Sequence, residues 1–128
     1  MKNMIKLSAF AVALMASASV FAAGTALTAA SRSQVTSGTA GACPALQEDI
    51  TVKLSANVSG AFECSTVNVA ISTANAKGRG RGYTVHSGGG APAESNNGAK
   101  FADQAAATTY AASLTTAALA RAATTSGD

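Results

Sequence analysis

Between Asp49 and Val58 the side chains alternate, with Ile50, Val52, Leu54, Ala56 and Val58 on one parity and Thr51, Lys53, Ser55 and Asn57 on the other. A period of two marks a strand with one buried face. Ser59-Gly60 follows as a turn, and a second run opens with Phe62 and Cys64 before the apolar parity switches to Val67, Val69 and Ile71. The switch predicts a bulge or kink near Ser65-Thr66. Two alternating runs joined by a short glycine-containing link predict an antiparallel hairpin over about 49–73. Tyr83 and Val85 predict a short third strand over about 82–86, although glycine at 78, 80 and 82 argues against a rigid central strand.

The segment from Phe101 to Thr125 is alanine-dense, with Asp103 near its start, Arg121 near its end and Gly127 beyond. These polarities suit a helix and a stop. The helical wheel is divided, because Phe101, Ala105, Ala112 and Leu119 share one face while Tyr110 and Leu114 fall opposite. Threonine pairs at 108-109, 115-116 and 124-125 also cost helix propensity through their branched side chains. Alanine is the best helix former and poor strand material, which decides for a helix over about 101–123. The expected fold is therefore mainly β, a small antiparallel sheet stapled by a disulfide and followed by an alanine-rich helix.

At the start of the chain the pattern is neither alternating nor amphipathic. Lys2 and Lys6 precede an apolar stretch from Leu7 to Val20, and Val20-Phe21-Ala22 places small residues where a signal peptidase reads, so cleavage after Ala22 is expected. About fourteen apolar residues are too few for a permanent span, which needs roughly twenty. The first cysteine is Cys43, so a lipidated N-terminus is not supported. The expected organisation is a signal peptide over 1–22, a flexible small-residue arm over 23–42, and one small domain over 43–128 with a Gly-rich loop over 76–98. Its location is then secreted, periplasmic or at the cell surface of a bacterium, without a stable membrane span.

Removing residues 1–22 changes what composition implies. Seven basic residues remain against six acidic ones, so the net charge drops from +3 to +1 and the basic character is mostly the signal's. Large aliphatic and Phe side chains number 15 of the remaining 106 residues, and Ala, Ser, Thr and Gly make the bulk. A core this poor leaves little hydrophobic free energy to set against chain entropy. Export supplies one remedy. In an oxidising compartment Cys43 and Cys64 are expected to pair, closing a loop of about 22 residues for roughly 3 kcal/mol of stabilisation in the chain-entropy model.

The candidate chemistry is thin. His86 with a serine and Asp49 or Asp103 has the inventory of a hydrolase, but no GxSxG surrounds any serine. Glu48 and Asp49 are adjacent and point to opposite faces of a strand, so they make no acid-base pair. One histidine and scattered acids lack metal-ligand spacing. The expectation is a non-enzyme with no catalytic residues, no metal and no cofactor. Asn57-Val-Ser matches an N-glycosylation acceptor only formally, given a bacterial signal.

Gly78-Arg-Gly-Arg-Gly is the one motif with a recognition chemistry. Glycine lets a backbone approach a polyanion, and Arg79 and Arg81 share a face where the segment is extended, offering guanidinium forks to an anion, with Lys77 beside them. It lacks P-loop and GxGxxG spacing, so no nucleotide is expected. Lys77, Arg79 and Arg81 are thus candidates for an anionic polysaccharide or another envelope or host polymer. In its export signal, early cysteine pair and Ser/Thr/Ala/Gly richness the chain resembles fimbrial subunits in a general way. It lacks the C-terminal aromatic-bearing strand of chaperone-usher pilins and the type IV prepilin signature, so no family is assigned. Two readings follow: a structural or adhesive subunit that self-associates or joins another envelope protein outside the cytoplasm, its arm pairing with a neighbour's sheet edge, or a small secreted binding module that uses the Gly/Arg loop.

Overall fold

The computed structural model describes residues 24–38 and 43–125; the predicted signal segment lies outside them. Among these residues seven strands and one helix follow in order: β1 (Thr25–Leu27), β2 (Arg32–Val35), β3 (Ile50–Lys53), β4 (Val58–Cys64), β5 (Val69–Asn75), β6 (Arg81–His86), β7 (Ala93–Asn96) and α1 (Gln104–Thr125). Strands β4 to β7 form an antiparallel meander, and β1 adds to its β4 side to give a five-stranded sheet. A separate antiparallel pair, β2-β3, belongs to a second layer. The fold is mainly β with one C-terminal helix.

The small-residue arm is not free along 24–38. Its two large apolar side chains, Leu27 and Val35, are 3% and 1% exposed and join Cys43, Leu54 and Phe62 in one core cluster. Two leucine-sized anchors in an otherwise small-residue stretch suffice to draw it in, because each removes apolar surface from water. The arm thus supplies β1 to one sheet and β2 to the other.

The hairpin expected over 49–73 is re-paired. The first alternating run, β3, pairs with β2, whereas β4 pairs with β5. Ser59 and Gly60 lie inside β4 rather than in a turn. A Cβ on Gly60 would stand 3.0 Å from Leu54 Cδ1 and 3.3 Å from Leu27 Cδ1, so this glycine makes room for core leucines in mid-strand. The chain reverses earlier, at Ser55–Asn57, where Asn57 adopts φ 64° and Val58 N–H donates to the Ser55 carbonyl at 3.1 Å. The parity switch has a simple cause too. Cys64 pairs with Val69, so residues 65–68 are the β4-β5 turn, not a bulge. Ser65 closes that turn by donating N–H to the Asn68 carbonyl at 2.8 Å while its hydroxyl accepts from Asn68 N–H at 2.9 Å.

Cys43 and Cys64 form the expected disulfide, with Cα atoms 5.1 Å apart. It ties the second layer to the end of β4. The Gly-rich stretch 76–98 is more ordered than a loop, for it contains all of β6 and β7, and β6 is internal to the sheet.

Helix α1 lies across β4, β5 and β6. Its buried side is Ala107, Ala111, Thr115, Ala118, Leu119 and Ala122, against sheet residues that are also small, among them Ser59, Ala61, Ala70, Ser72 and Ala74. The buried stripe is therefore written in alanine, which explains the divided wheel. Asp103 caps the helix, its carboxylate accepting from Ala106 N–H at 2.8 Å. The threonines fit because their hydroxyls find partners. Thr108, Thr115 and Thr116 each donate to the carbonyl four residues back. Thr108 also bonds Ser59 and Thr116 bonds Glu63.

Candidate functional site

The two layers do not cover the sheet equally. On the face away from α1, the β2-β3 layer and the disulfide segment lie over the β1-β4 side, where Phe62 is buried. Strand β4 is buried along nearly all its length, whereas β6 alternates, with only Gly82 and Thr84 buried. The register places Arg81, Tyr83 and Val85 on the uncovered face, opposite Thr73 and Ile71 of β5, with Glu94 of β7 beside Tyr83. Tyr83 is 49% exposed and Val85 45%. Val67, on the β4-β5 turn, is 72% exposed.

At one end of this face the β5-β6 turn folds over a recess of about 360 Å³ lined by Val58, Thr73, Asn75, Gly78, Arg79, Arg81 and Tyr83. The turn is tightly specified. Asn75 accepts from Lys77 N–H through Oδ1 at 2.9 Å and from Gly78 N–H through its carbonyl at 2.9 Å. Gly80 has φ 74°, and a Cβ there would come within 1.9 Å of the Ala99 carbonyl oxygen. Asn97 N–H donates to the Gly80 carbonyl at 2.7 Å. Gly82 has a different reason, since its Cβ would meet Leu114 Cδ1 at 2.5 Å and Tyr110 Cε1 at 3.0 Å. Gly80 and Gly82 of the Gly/Arg motif therefore serve close approach of this chain to itself.

The arginines are a different matter. Arg79 and Arg81 both line the recess, one from the turn and one from the first position of β6. Arg81 is paired with Glu94 at 2.5 Å across β6-β7, in an exposed bridge worth little to stability. Arg79 is exposed and makes no ion pair or hydrogen bond among the described residues, which leaves its guanidinium available. Lys77 is exposed on the same turn but does not line the recess. Sequence reasoning missed Thr73, Asn75, Tyr83 and Glu94 as parts of this site. The signal was present in the parity of β6, where Arg81, Tyr83 and Val85 alternate with the smaller Gly82 and Thr84.

The other candidates are scattered. Among the described residues no three His, Cys, Asp or Glu side chains converge as a metal site. Glu63 lies on the helix face with Oε2 accepting from Thr116 at 2.7 Å, while its Oε1 and His86 Nδ1 are buried without a partner. Ala70 stands between the two in the sheet, paired with both Glu63 and His86 and covered by Ala118 and Leu119. Asp49 sits at the edge of the second layer. The Ser37 N–H at 2.7 Å, then the Ser37 hydroxyl, hold its carboxyl below the usual aspartate range against a smaller opposing effect of desolvation, with Gln34 adding the least.

The disulfide fits an oxidising compartment, and among the described residues no helix is long and apolar enough to cross a membrane. No protein-family model, curated protein or solved structure matches the chain.

Proposed function

We propose that this protein is a non-enzymatic binding module acting outside the cytoplasm, whose contact surface is the uncovered face of β5, β6 and β7 and whose ligand is an anionic polymer of an envelope or host surface. One observation carries the reading: an unpaired arginine and a half-exposed tyrosine line the same recess on a rigid sheet. A guanidinium fork recognises carboxylate, sulfate or phosphate through two parallel hydrogen bonds, and an aromatic ring adds apolar contact area with little entropy to lose. The test is retention of the purified protein on immobilised anionic polymers over a salt gradient. Retention that weakens with salt, and is lost in the double variant Arg79→Ala with Arg81→Ala, supports the reading. Equal retention of that variant refutes it.

A structural subunit assembling with copies of itself is the second reading. Val67 on the β4-β5 turn, and Tyr83 and Val85 on the uncovered face, favour it, since exposed apolar groups invite association. Against it, the arm that would have paired with a neighbour is used in cis, as β1 against β4. Sizing over a wide concentration range separates the two: a persistent monomer removes the subunit reading, and filaments restore it.

A further inference from the structure

The recess has more chemistry than a generic anion site needs, and the surplus points to a particular ligand class. Besides the free fork of Arg79, Thr73 presents a hydroxyl with no hydrogen-bond partner among the described residues. Asn75 spends Oδ1 on the turn and keeps its amide nitrogen as a donor. Glu94, on the neighbouring strand, uses Oε1 on Arg81 and retains Oε2 as an acceptor. Tyr83 lies between Thr73 and Glu94 in the sheet, paired with each across the strands. The arrangement is an aromatic platform bordered by donors and acceptors, with one unpaired cation at its end.

A phosphate or sulfate group offers acceptors only. It could use Arg79 and Asn75, but it brings no donor for the Thr73 hydroxyl oxygen or for the Glu94 Oε2 at the border of the recess. A sugar ring carries hydroxyls that donate as well as accept, together with an apolar C–H face that can rest on Tyr83. A single carboxylate on that ring matches the single unpaired guanidinium. The volume, about 360 Å³, is at the small end of ligand pockets and suits a unit or two of a chain rather than a folded partner. The walls are also pre-organised, since β5 and β6 are paired along their length and the turn is pinned through Gly80 to Ala99 and Asn97.

We infer that the recess binds an acidic saccharide, a hexuronate unit of a polysaccharide, with Arg79 reading the carboxylate, Tyr83 carrying the ring, Thr73 and Asn75 reading hydroxyls within the recess, and Glu94, outside its lining on β7, reading a hydroxyl at the border. This rests on the proposed binding function and narrows it. The experiment measures affinity of the purified protein for four probes: oligogalacturonate, the same oligomer methyl-esterified, dextran sulfate and polyphosphate. Oligogalacturonate should bind best. Esterification, which keeps the ring and removes the charge, and Arg79→Ala, which keeps the fold and removes the fork, should each weaken binding at least about tenfold. Arg79→Lys should recover only part of that loss, and Tyr83→Ala should weaken both the acidic and the esterified oligomer. Each variant is checked for an unchanged melting curve. Equal or tighter binding of polyphosphate overturns the saccharide assignment, equal or tighter binding of dextran sulfate overturns the hexuronate carboxylate, and either leaves the polyanion module standing. Failure to bind any of the four removes both.

Discussion

Strands β4 and β6 belong to one sheet and are separated only by β5, yet they have opposite fates. Strand β4 is enclosed between α1 on one face and, on the other, the second layer with Val35, Cys43 and Leu54, joined by Leu27 from the neighbouring β1, and it contributes the only phenylalanine of that cluster. Strand β6 has the same helix on one face and, among the described residues, no layer on the other, where Tyr83 and Val85 stand half in water. The difference divides labour within one small domain. A chain with few large side chains concentrates them where two layers meet, and stability comes from there. The remaining half of the sheet is held by small residues and hydroxyls beneath α1 and leaves its outer face available for recognition.

Breaking the covered half should have the largest effect. Phe62→Ala empties the centre of the cluster and should cost about 3–5 kcal/mol in chemical denaturation, a large part of what a domain of this size possesses. A loss under about 1 kcal/mol would mean that the second layer does not pack as described. Cys64→Ser, paired with Cys43→Ser to avoid a free thiol, should cost about 3 kcal/mol under non-reducing conditions by releasing the loop. Melting indistinguishable from the parent would remove the disulfide from the account of stability.

Asp49 gives a smaller handle on the same layer. Its folded-state carboxyl titrates below its unfolded value, so the stability it lends is present above the ordinary carboxylate range and disappears as pH falls through the folded value. The parent should therefore exceed Asp49→Asn at neutral pH, with the gap closing in acid. A gap that widens in acid would reverse the sign and sink the assignment. The smallest effect belongs to the open half, where Val85→Thr should change stability by no more than about 0.5 kcal/mol, though it lies on the same sheet face as Phe62. A cost comparable to that at Phe62 would show that the face is covered in solution.

Much of this was legible in the sequence. The strand at Tyr83–Val85, the alanine-rich helix with Asp103 at its start and the cysteine pair all follow from local pattern. Each is governed by neighbours in sequence or, for the cysteines, by having a single available partner. Pairing was not legible. Gly60 has the same local appearance as a turn glycine, and only Leu27, more than thirty positions earlier, explains its place inside a strand. Likewise Gly82 was read against a central strand because the side chains that require it, Leu114 and Tyr110, arrive from the helix.

The candidate site divides in the same way. Arg79 and Arg81 stood out as a motif, but their inequality did not, because it depends on Glu94 reaching Arg81 across a strand pair. Thr73 and Asn75 carry no signal of their own until β5 is laid beside β6.

By itself the sequence determined that most of 50–73 and 82–86 extend, that the alanine-rich segment coils and which two sulfurs meet, since backbone preference and side-chain period are properties of a few neighbouring residues; β1 and β2 in the arm and β7 in the glycine-rich stretch extend only through their partners. Tertiary structure alone decided which strand faces two layers and which faces one. Burial is a competition for the few large side chains in the chain, and Leu27 and Val35, brought back from the N-terminal arm, settled it in favour of β4.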